Sequence, residues 1–452
     1  MSVQWFYEGK MKKNRKTDMI KEQTTMFGTY EFPTTEEIID VYSKEFESYV
    51  TPKGDTTFGF WMQTLADLEL LNLELNGLTN NYSIDSINRT VKLNGSIKEL
   101  KLRIAHLEKV KGEKTLYTDL MDKFGDTNAY AFHNLYPYKG KFYPRIARTL
   151  INAFELNENS IILDPFNGSG TATHEASLMG IESVGIDITP IGTTIAEVKN
   201  ELLFAKENAL KFSISDLQKV FDLIEKKKWK HQNSLIHKLM LLIYFDTIDA
   251  FVRTTRYNRK GKVGLFIEKF NYIKNCYDKL IEIKNKFGLK FKKAELIEGD
   301  VLKLKSMKNM EQKFDAVITS PPYYFSIDYV GKDKIAYDYL GVKMPEVEGK
   351  YLGMKNEITN HPMYKDLPVK VIKYYEDLKD AIENIFWCLK PEGKCAIIVG
   401  DSTVSGKKIP TTIMTKKFCE EVGFKFEKLI FNPLLGARNR AIRGESIIIC
   451  HK

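Results

Sequence analysis

The chain has 452 residues, of which 43% are apolar, 12% aromatic and 28% charged. That length suits two or three domains, and the composition excludes a disordered or low-complexity chain. The formal net charge of +9 is concentrated: residues 201–294 hold 21 Lys/Arg against 10 Asp/Glu, leaving 47 against 49 elsewhere. A local excess of this kind is the footprint of a polyanion partner, and a solvated helical face is its bland equivalent.

Residues 1–128 read as a separate N-terminal region with no recognisable chemistry. "TTEEIIDVYSKEF" and "SIKELKLRIAHLEKV" have helical spacing, "TPKGD" reads as a turn, and the Asn/Gly-rich "NGLTNNYS" reads as a loop. The start, "MSVQWFYEGKMKKNRK", lacks the apolar core of a signal peptide. The longest apolar run, "LMLLIYF", is too short to span a bilayer, so a cytoplasmic location is expected. Cys276, Cys388, Cys395, Cys419 and Cys450 form no C-x-x-C pair and no zinc spacing with the histidines. Reduced thiols and no metal site are expected.

From about residue 129 the pattern alternates. "YPRIARTLINAFEL" is a helix, "SIILD" a strand ending at Asp164, "TATHEASLMG" a helix closed by Gly180, and "SVGID" a strand ending at Asp187. This rhythm indicates a parallel α/β sheet. Residues 200–294 interrupt it as a basic, mostly helical insertion. "AELIEGD", "FDAVITS", the helix of "YYEDLKDAIENIFWCLK" and "CAIIVGD" then resume it. A helix near 411–422 follows, and "FEKLIF" and "ESIIIC" read as antiparallel strands closing the sheet.

Two loops carry chemistry. In "DPFNGSGTATHEA", Gly168 and Gly170 let the backbone turn tightly beside a ligand, and the helix opening at Thr171 presents free N–H groups. Asp187 can accept the hydroxyls of a ribose. The third glycine of a G-x-G-x-x-G pyrophosphate fingerprint is missing, which counts against a dinucleotide. The second loop is "TSPPYYFSIDY", two prolines and a run of aromatics directly after a buried strand. His133, His174 and His361 read as packing or surface residues, and Asp401 as a structural cap.

"DPFNGSGT" with "TSPPY" resembles the S-adenosylmethionine-dependent DNA amino-methyltransferases, which modify N4 of cytosine or N6 of adenine. "FHNLYPYKGKFYPRIARTLI" resembles the segment that wraps the methionine end of the cofactor in that family, and "EGD", ending at Asp300, its adenine-contacting acid. The resemblance covers roughly residues 129–199 and 295–452. It implies a Rossmann-like class I methyltransferase fold, α/β, with a seven-stranded mostly parallel sheet whose last strand is antiparallel. It implies that S-adenosyl-L-methionine lies against Lys139, Phe142, Asp164, Pro165, Phe166, Gly168, Gly170, Thr171, Asp187 and Asp300. It also implies that Ser320, Pro321, Pro322 and Tyr323 hold the target base. Residues 129–199 would be the cofactor-binding half and 295–452 the catalytic half.

An exocyclic amine is a poor nucleophile because its lone pair is delocalised into the ring. Acceptors such as the Ser320 hydroxyl and the Pro321 carbonyl can push the nitrogen toward tetrahedral geometry. The prolines stiffen the loop, and Tyr323 can stack on the base, which offsets part of the few kcal/mol spent on extruding it. Ser at the first tetrad position leans toward N4-cytosine. The cofactor half precedes the catalytic half, the reverse of many N4-cytosine enzymes, which bears on subclass rather than reaction type. No Pro-Cys pair is present for C5-cytosine chemistry.

For double-stranded DNA, the candidate contacts are Arg253, Arg256, Arg259 and Lys260 in "FVRTTRYNRKGKVG", with Arg438 and Arg440 in "GARNRAIRGES" and the segment 331–370 as further candidates. The family also implies a separately acting cognate restriction endonuclease. The competing readings are an N6-adenine enzyme, an RNA guanine-N2 methyltransferase, and a catalytically silent DNA-binding partner.

Overall fold

The computed structural model describes residues 54–452 except 60, 80, 94–97, 127–128, 254–259, 324–332, 344–350, 354–363, 365–366, 405–406 and 434–443. "TTEEIIDVYSKEF" and His361 therefore lie outside the described residues.

The N-terminal region contains a sheet that periodicity did not signal. Strands β1 (Thr57–Phe58), β2 (Tyr82–Asp85), β3 (Thr90–Leu93), β4 (Leu107–Val110) and β5 (Glu113–Lys114) pair antiparallel in the order β2-β3-β1-β4-β5. Helices α1 (Leu65–Leu78), α2 (Lys98–Arg103) and α3 (Leu116–Phe124) complete it. "SIKELKLRIAHLEKV" is thus not one helix: α2 stops at Arg103 and β4 begins at Leu107. The buried Glu74 of α1 draws the chain out of the helix. Its Oε1 accepts from the Ala105 amide at 2.9 Å, and its Oε2 lies 2.9 Å from His106 Nδ1. "NGLTNNYS" is also shorter as a loop than it reads, since α1 runs to Leu78 and β2 opens at Tyr82.

The second sheet contains β6 (Ile161–Asp164), β7 (Glu182–Asp187), β8 (Ala294–Glu298), β9 (Phe314–Thr319), β10 (Leu389–Val399), β13 (Lys425–Pro433) and β14 (Gly444–His451). A hairpin of β11 (Ser402–Val404) and β12 (Lys407–Ile409) stands apart. The order is β13-β14-β10-β9-β6-β7-β8, and only β14 runs antiparallel to its neighbours. The helices are α4 (Pro144–Ala153), α5 (Thr171–Leu178), α6 (Pro190–Leu202), α7 (Ile214–Glu225), α8 (Ser234–Arg253), α9 (Gly261–Phe287), α10 (Lys334–Leu340), α11 (Val369–Cys388) and α12 (Thr411–Val422).

Alternation along the strands divides the apolar side chains between two layers. Ile162, Ala316, Ile318, Ala396 and Ile398 pack with Ile146 and Leu150 of α4 and Ala172 and Ala176 of α5. Leu163, Val317, Ile397 and Ile448 pack with Leu378 and Ile382 of α11 and Phe418 of α12. Helices α7, α8 and α9 form the basic segment. Their apolar faces share one core with Phe58 and Trp61 of the N-terminal region and with Ile191 and Ile195 of α6. Two polar clasps also tie that region to α4: Asn152 Nδ2 donates to Glu74 at 2.7 Å, and Arg145 Nη2 to Asp67 at 2.6 Å.

From β6 the chain proceeds outward through β7 and β8, then returns to place β9 on the other side of β6. The strand order reverses between β6 and β9, and ligands of open α/β sheets bind in the crevice beyond the carboxyl ends of such a pair. Among the described residues, no helix is long and apolar enough to cross a membrane. The five cysteines are buried and not disulfide-bonded.

Candidate active site

The two sequence loops meet at the switch point. β6 ends at Asp164 and β9 at Thr319, and Thr319 Oγ1 donates to Asp164 Oδ1 at 2.6 Å. Burial pushes Asp164 up to about 7, against the hydrogen bonds from Thr319 and the Phe166 amide. This contact ties the glycine turn to the S-P-P-Y loop across 155 residues of sequence.

The glycine turn is left-handed at Gly168 (φ 49°) and Gly170 (φ 78°). A Cβ at Gly170 would sit 2.9 Å from Ala196 Cβ of α6. From behind the turn, the buried Lys199 of α6 donates to the Ser169 carbonyl at 2.7 Å. Gly170→Val combines left-handed strain of about 1–2 kcal/mol with overpacking of about 1–3 kcal/mol. Chemical denaturation should show a loss of about 2–5 kcal/mol, together with weaker binding of S-adenosylmethionine.

Asp187 closes the turn. Its Oδ2 accepts from the Gly168 amide at 2.7 Å, and its Oδ1 from the Thr189 amide at 2.8 Å and the Thr189 hydroxyl at 2.5 Å. Burial raises its pKa against these bonds. With one donor on Oδ2, that oxygen keeps a lone pair for a ribose hydroxyl, whereas Oδ1 already has two donors.

Above the turn lies a partly open cleft, enclosing with its open mouth about 620 Å³ of non-atom space. Pro165, Phe166, Gly168, Asp187, Asp300, Ser320 and Pro322 line it. Asp300 also caps the short helix that follows, its Oδ1 accepting from the Leu302 amide at 2.9 Å. Other members of the sequence-derived set stand outside the lining. Lys139 is exposed, and Phe142 is buried in the core beside Ile146. Asp164 lies beneath the cleft, and Gly170 and Thr171 start α5. The lining also contains Tyr138, Gly140, Ile188, Thr189, Val301, Tyr351 and Leu352, which sequence reasoning missed. Tyr138 and Gly140 flank Lys139, so the segment was legible but its register was not.

The S-P-P-Y loop is fixed on three sides. Ser320 Oγ donates to the Ile398 carbonyl at 3.0 Å, Tyr374 OH to the Pro322 carbonyl at 3.0 Å, and Tyr323 OH to Glu445 Oε1 at 2.9 Å. The Pro322 carbonyl is thereby occupied, which leaves the Ser320 hydroxyl and the Pro321 carbonyl as the loop's acceptors for an incoming amine. An acceptor set at the cleft rim, beside a turn shaped for a nucleoside, suits transfer between a bound cofactor and a nitrogen nucleophile.

Of the basic candidates, Arg253 and Lys260 are not among the residues lining the cleft. Arg253 ends α8 and pairs with Asp249 at 2.6 Å; Lys260 precedes α9 and pairs with Glu268 at 2.7 Å. Arg256, Arg259, Arg438 and Arg440 lie outside the described residues. His133 and His174 are buried against each other, and Asp401 accepts from the Thr412 amide at the start of α12.

The strand order, with its one reversed strand, and the crevice above β6 and β9 define a class I methyltransferase. A DNA methylase family model matches residues 2–197, which include the glycine turn and Asp187, and an RMKL-like methyltransferase-domain model matches 135–271. The chain is 24% identical over 436 residues to the type II methyltransferase M.BsoBI of Geobacillus stearothermophilus, covering 73% of this chain and 85% of that protein. It is 31% identical over 199 residues to the type II methyltransferase M.MjaII of Methanocaldococcus jannaschii, covering 43% of this chain and 32% of that protein. A solved putative DNA modification methylase from Thermus thermophilus, complexed with S-adenosyl-L-methionine, aligns with a TM-score of 0.20 and 19% identity, covering 34% of this chain and 51% of that one. The family model and these relatives support an S-adenosylmethionine-dependent DNA methyltransferase. The chain is a DNA methyltransferase with S-adenosylmethionine as its cofactor.

Proposed function

We propose that the protein methylates the exocyclic amine of an everted base at specific duplex sites, N4 of cytosine in preference to N6 of adenine, as the protective half of a restriction–modification pair in the cytoplasm. The observation that carries this reading is the Ser320 hydroxyl at the cleft rim, 3.0 Å from the Ile398 carbonyl, with the loop around it fixed by Tyr374 and Tyr323.

S-adenosylmethionine supplies a methyl carbon on a positively charged sulfur, which is its whole chemical contribution. Asp187 Oδ2 and Asp300 hold the nucleoside end. Phe166 and Val301 line the cleft with apolar surface. Ser320 Oγ and the Pro321 carbonyl take hydrogen bonds from the target amine and free its lone pair. Ser in place of Asp brings an uncharged hydroxyl acceptor to the amine.

We place duplex recognition at the junction of α8 and α9, in the basic segment 200–294. The Arg253 and Lys260 ion pairs are solvent-exposed and worth roughly 0–1 kcal/mol each, so phosphates can displace their partners. Replacing Arg256 and Arg259 by Ala should weaken duplex binding and flatten its dependence on log salt by about 0.9 per lost phosphate contact, measured by titration between low and moderate salt. An unchanged slope would move recognition elsewhere.

The reading is tested by incubating a pool of unmethylated duplexes, and separately tRNA, with tritiated S-adenosylmethionine and analysing the nucleosides. N4-methylcytosine in DNA is expected. N6-methyladenine would overturn the base assignment, and label in RNA alone would overturn the DNA substrate.

A further inference from the structure

Glu445 is the second residue of β14 and comes within reach of the S-P-P-Y loop because that reversed strand runs beside β10. It is 6% exposed. Its Oε1 accepts from Tyr323 OH at 2.9 Å, and its Oε2, also buried, has no hydrogen-bond partner among the described residues. Ser320 Oγ lies 3.4 Å from the same phenol oxygen, so its single proton has two acceptors in reach, the Ile398 carbonyl at 3.0 Å and Tyr323, and when it turns to Tyr323 donation runs from Ser320 to Tyr323 to Glu445. A buried carboxyl with an orphaned oxygen is costly, and among the described residues no cation pairs with it. The hydroxyl chain leading to it starts at the cleft rim.

We propose that Ser320, Tyr323 and Glu445 form a proton relay in which Glu445 takes up the proton released by the methylated amine. The inference rests on the amine-transfer reading above. The balance is complete without a further reactant. The amine lone pair forms the N–C bond to the methyl, and the S–C pair returns to sulfur, leaving it neutral. The nitrogen, now positively charged, gives an N–H proton to Ser320 Oγ. Ser320 passes its own proton to Tyr323 OH, and Tyr323 passes its proton to Glu445, which becomes neutral. Glu445 acts through Tyr323, as a positioning and proton-accepting residue at the end of the chain.

The surroundings set the direction of its pH dependence. Burial pushes Glu445 up to about 7, with the Tyr323 hydrogen bond opposing. Among the described residues, the titratable side chains that sense its charge are Tyr323 and Tyr143, the residue before α4. Asn432 stands opposite it on β13, and its neighbour Ser446 meets Thr412 of α12 at 3.2 Å; all three are uncharged. The accepting form is the carboxylate, so transfer rises with pH through about 7 and falls below it.

The test is single-turnover transfer of tritiated methyl to the same duplex pool between about pH 6 and 8.5, with cofactor binding measured alongside by equilibrium dialysis. Wild type should run about tenfold slower at pH 6 than at pH 8, as expected for one ionisation near neutrality. Glu445→Gln keeps the acceptor for Tyr323 but cannot take a proton. It should bind cofactor normally, transfer at least about tenfold more slowly at pH 8, in keeping with the scale of general-base effects, and lose the pH slope. Glu445→Asp should restore a sloping profile, and Tyr323→Phe should lose the slope as Glu445→Gln does. A Glu445→Gln enzyme with wild-type rate, or a slow one that keeps the wild-type slope, overturns the relay and leaves the amine reading standing. Sloped transfer by Tyr323→Phe overturns it as well, whether or not Glu445→Gln folds. Absence of transfer by wild type overturns both.

Discussion

Ser320→Ala should slow single-turnover methyl transfer on the order of 100-fold, about 2.7 kcal/mol in the barrier, while leaving the affinity for S-adenosylmethionine unchanged. The substitution removes one oxygen. Its hydrogen bond to the Ile398 carbonyl is worth roughly 0.5–1.5 kcal/mol in stability and is not the larger effect. What is lost is an acceptor held in place before the amine arrives, which favours the transition state over the bound base. Quench-flow with labelled donor measures the rate, and dialysis measures the affinity. Transfer at the wild-type rate would remove Ser320 from the chemistry. A parallel fall in cofactor affinity would make its role structural.

Glu175→Ala should lower stability by about 3–5 kcal/mol, the usual cost of breaking a buried ion pair and leaving its partner unpaired. Glu175 lies in α5, fully buried directly behind the glycine turn. Tyr130 OH and His133 Nε2 each donate to its Oε1 at 2.7 Å, and Arg148 Nε to its Oε2 at 2.9 Å. Burial alone would raise the Glu175 pKa, but Arg148 and His133 hold it below the ordinary carboxylate range. Urea denaturation at pH 7.5 measures the loss; a change under 1 kcal/mol would mean that water reaches Arg148. The same cluster fixes a pH response. Burial lowers His133 to about 4. Between pH 6.5 and 4 the unfolded chain therefore binds a proton there that the folded chain does not, and stability falls as the solution is acidified.

The parts of the molecule legible in sequence are those whose signal is local. The glycine turn, the two strand-ending acids Asp164 and Asp187, and the two prolines after Thr319 each announce their geometry within a dozen residues. The N-terminal sheet does not. Its strands are two to four residues long, too short for alternation to stand out. The end of α2 is set by Glu74, a residue in another element. Glu445 begins the strand legible as "ESIIIC", but its place beside the S-P-P-Y loop is not legible there. Its burial comes from β14 running beside β10, a long-range pairing that no window of sequence contains. Tyr351 and Leu352 escaped for the same reason: they reach the cleft from a segment without a motif.

The Thr319–Asp164 contact has a consequence for biosynthesis. The glycine turn leaves the ribosome more than 150 residues ahead of the loop that completes its neighbourhood, and Tyr351 and Leu352 emerge later still. A nascent chain halted near residue 300 has strands β6, β7 and β8 but lacks β9 and the Ser320, Pro322, Tyr351 and Leu352 side of the crevice. Completion of the crevice is therefore a late event in translation.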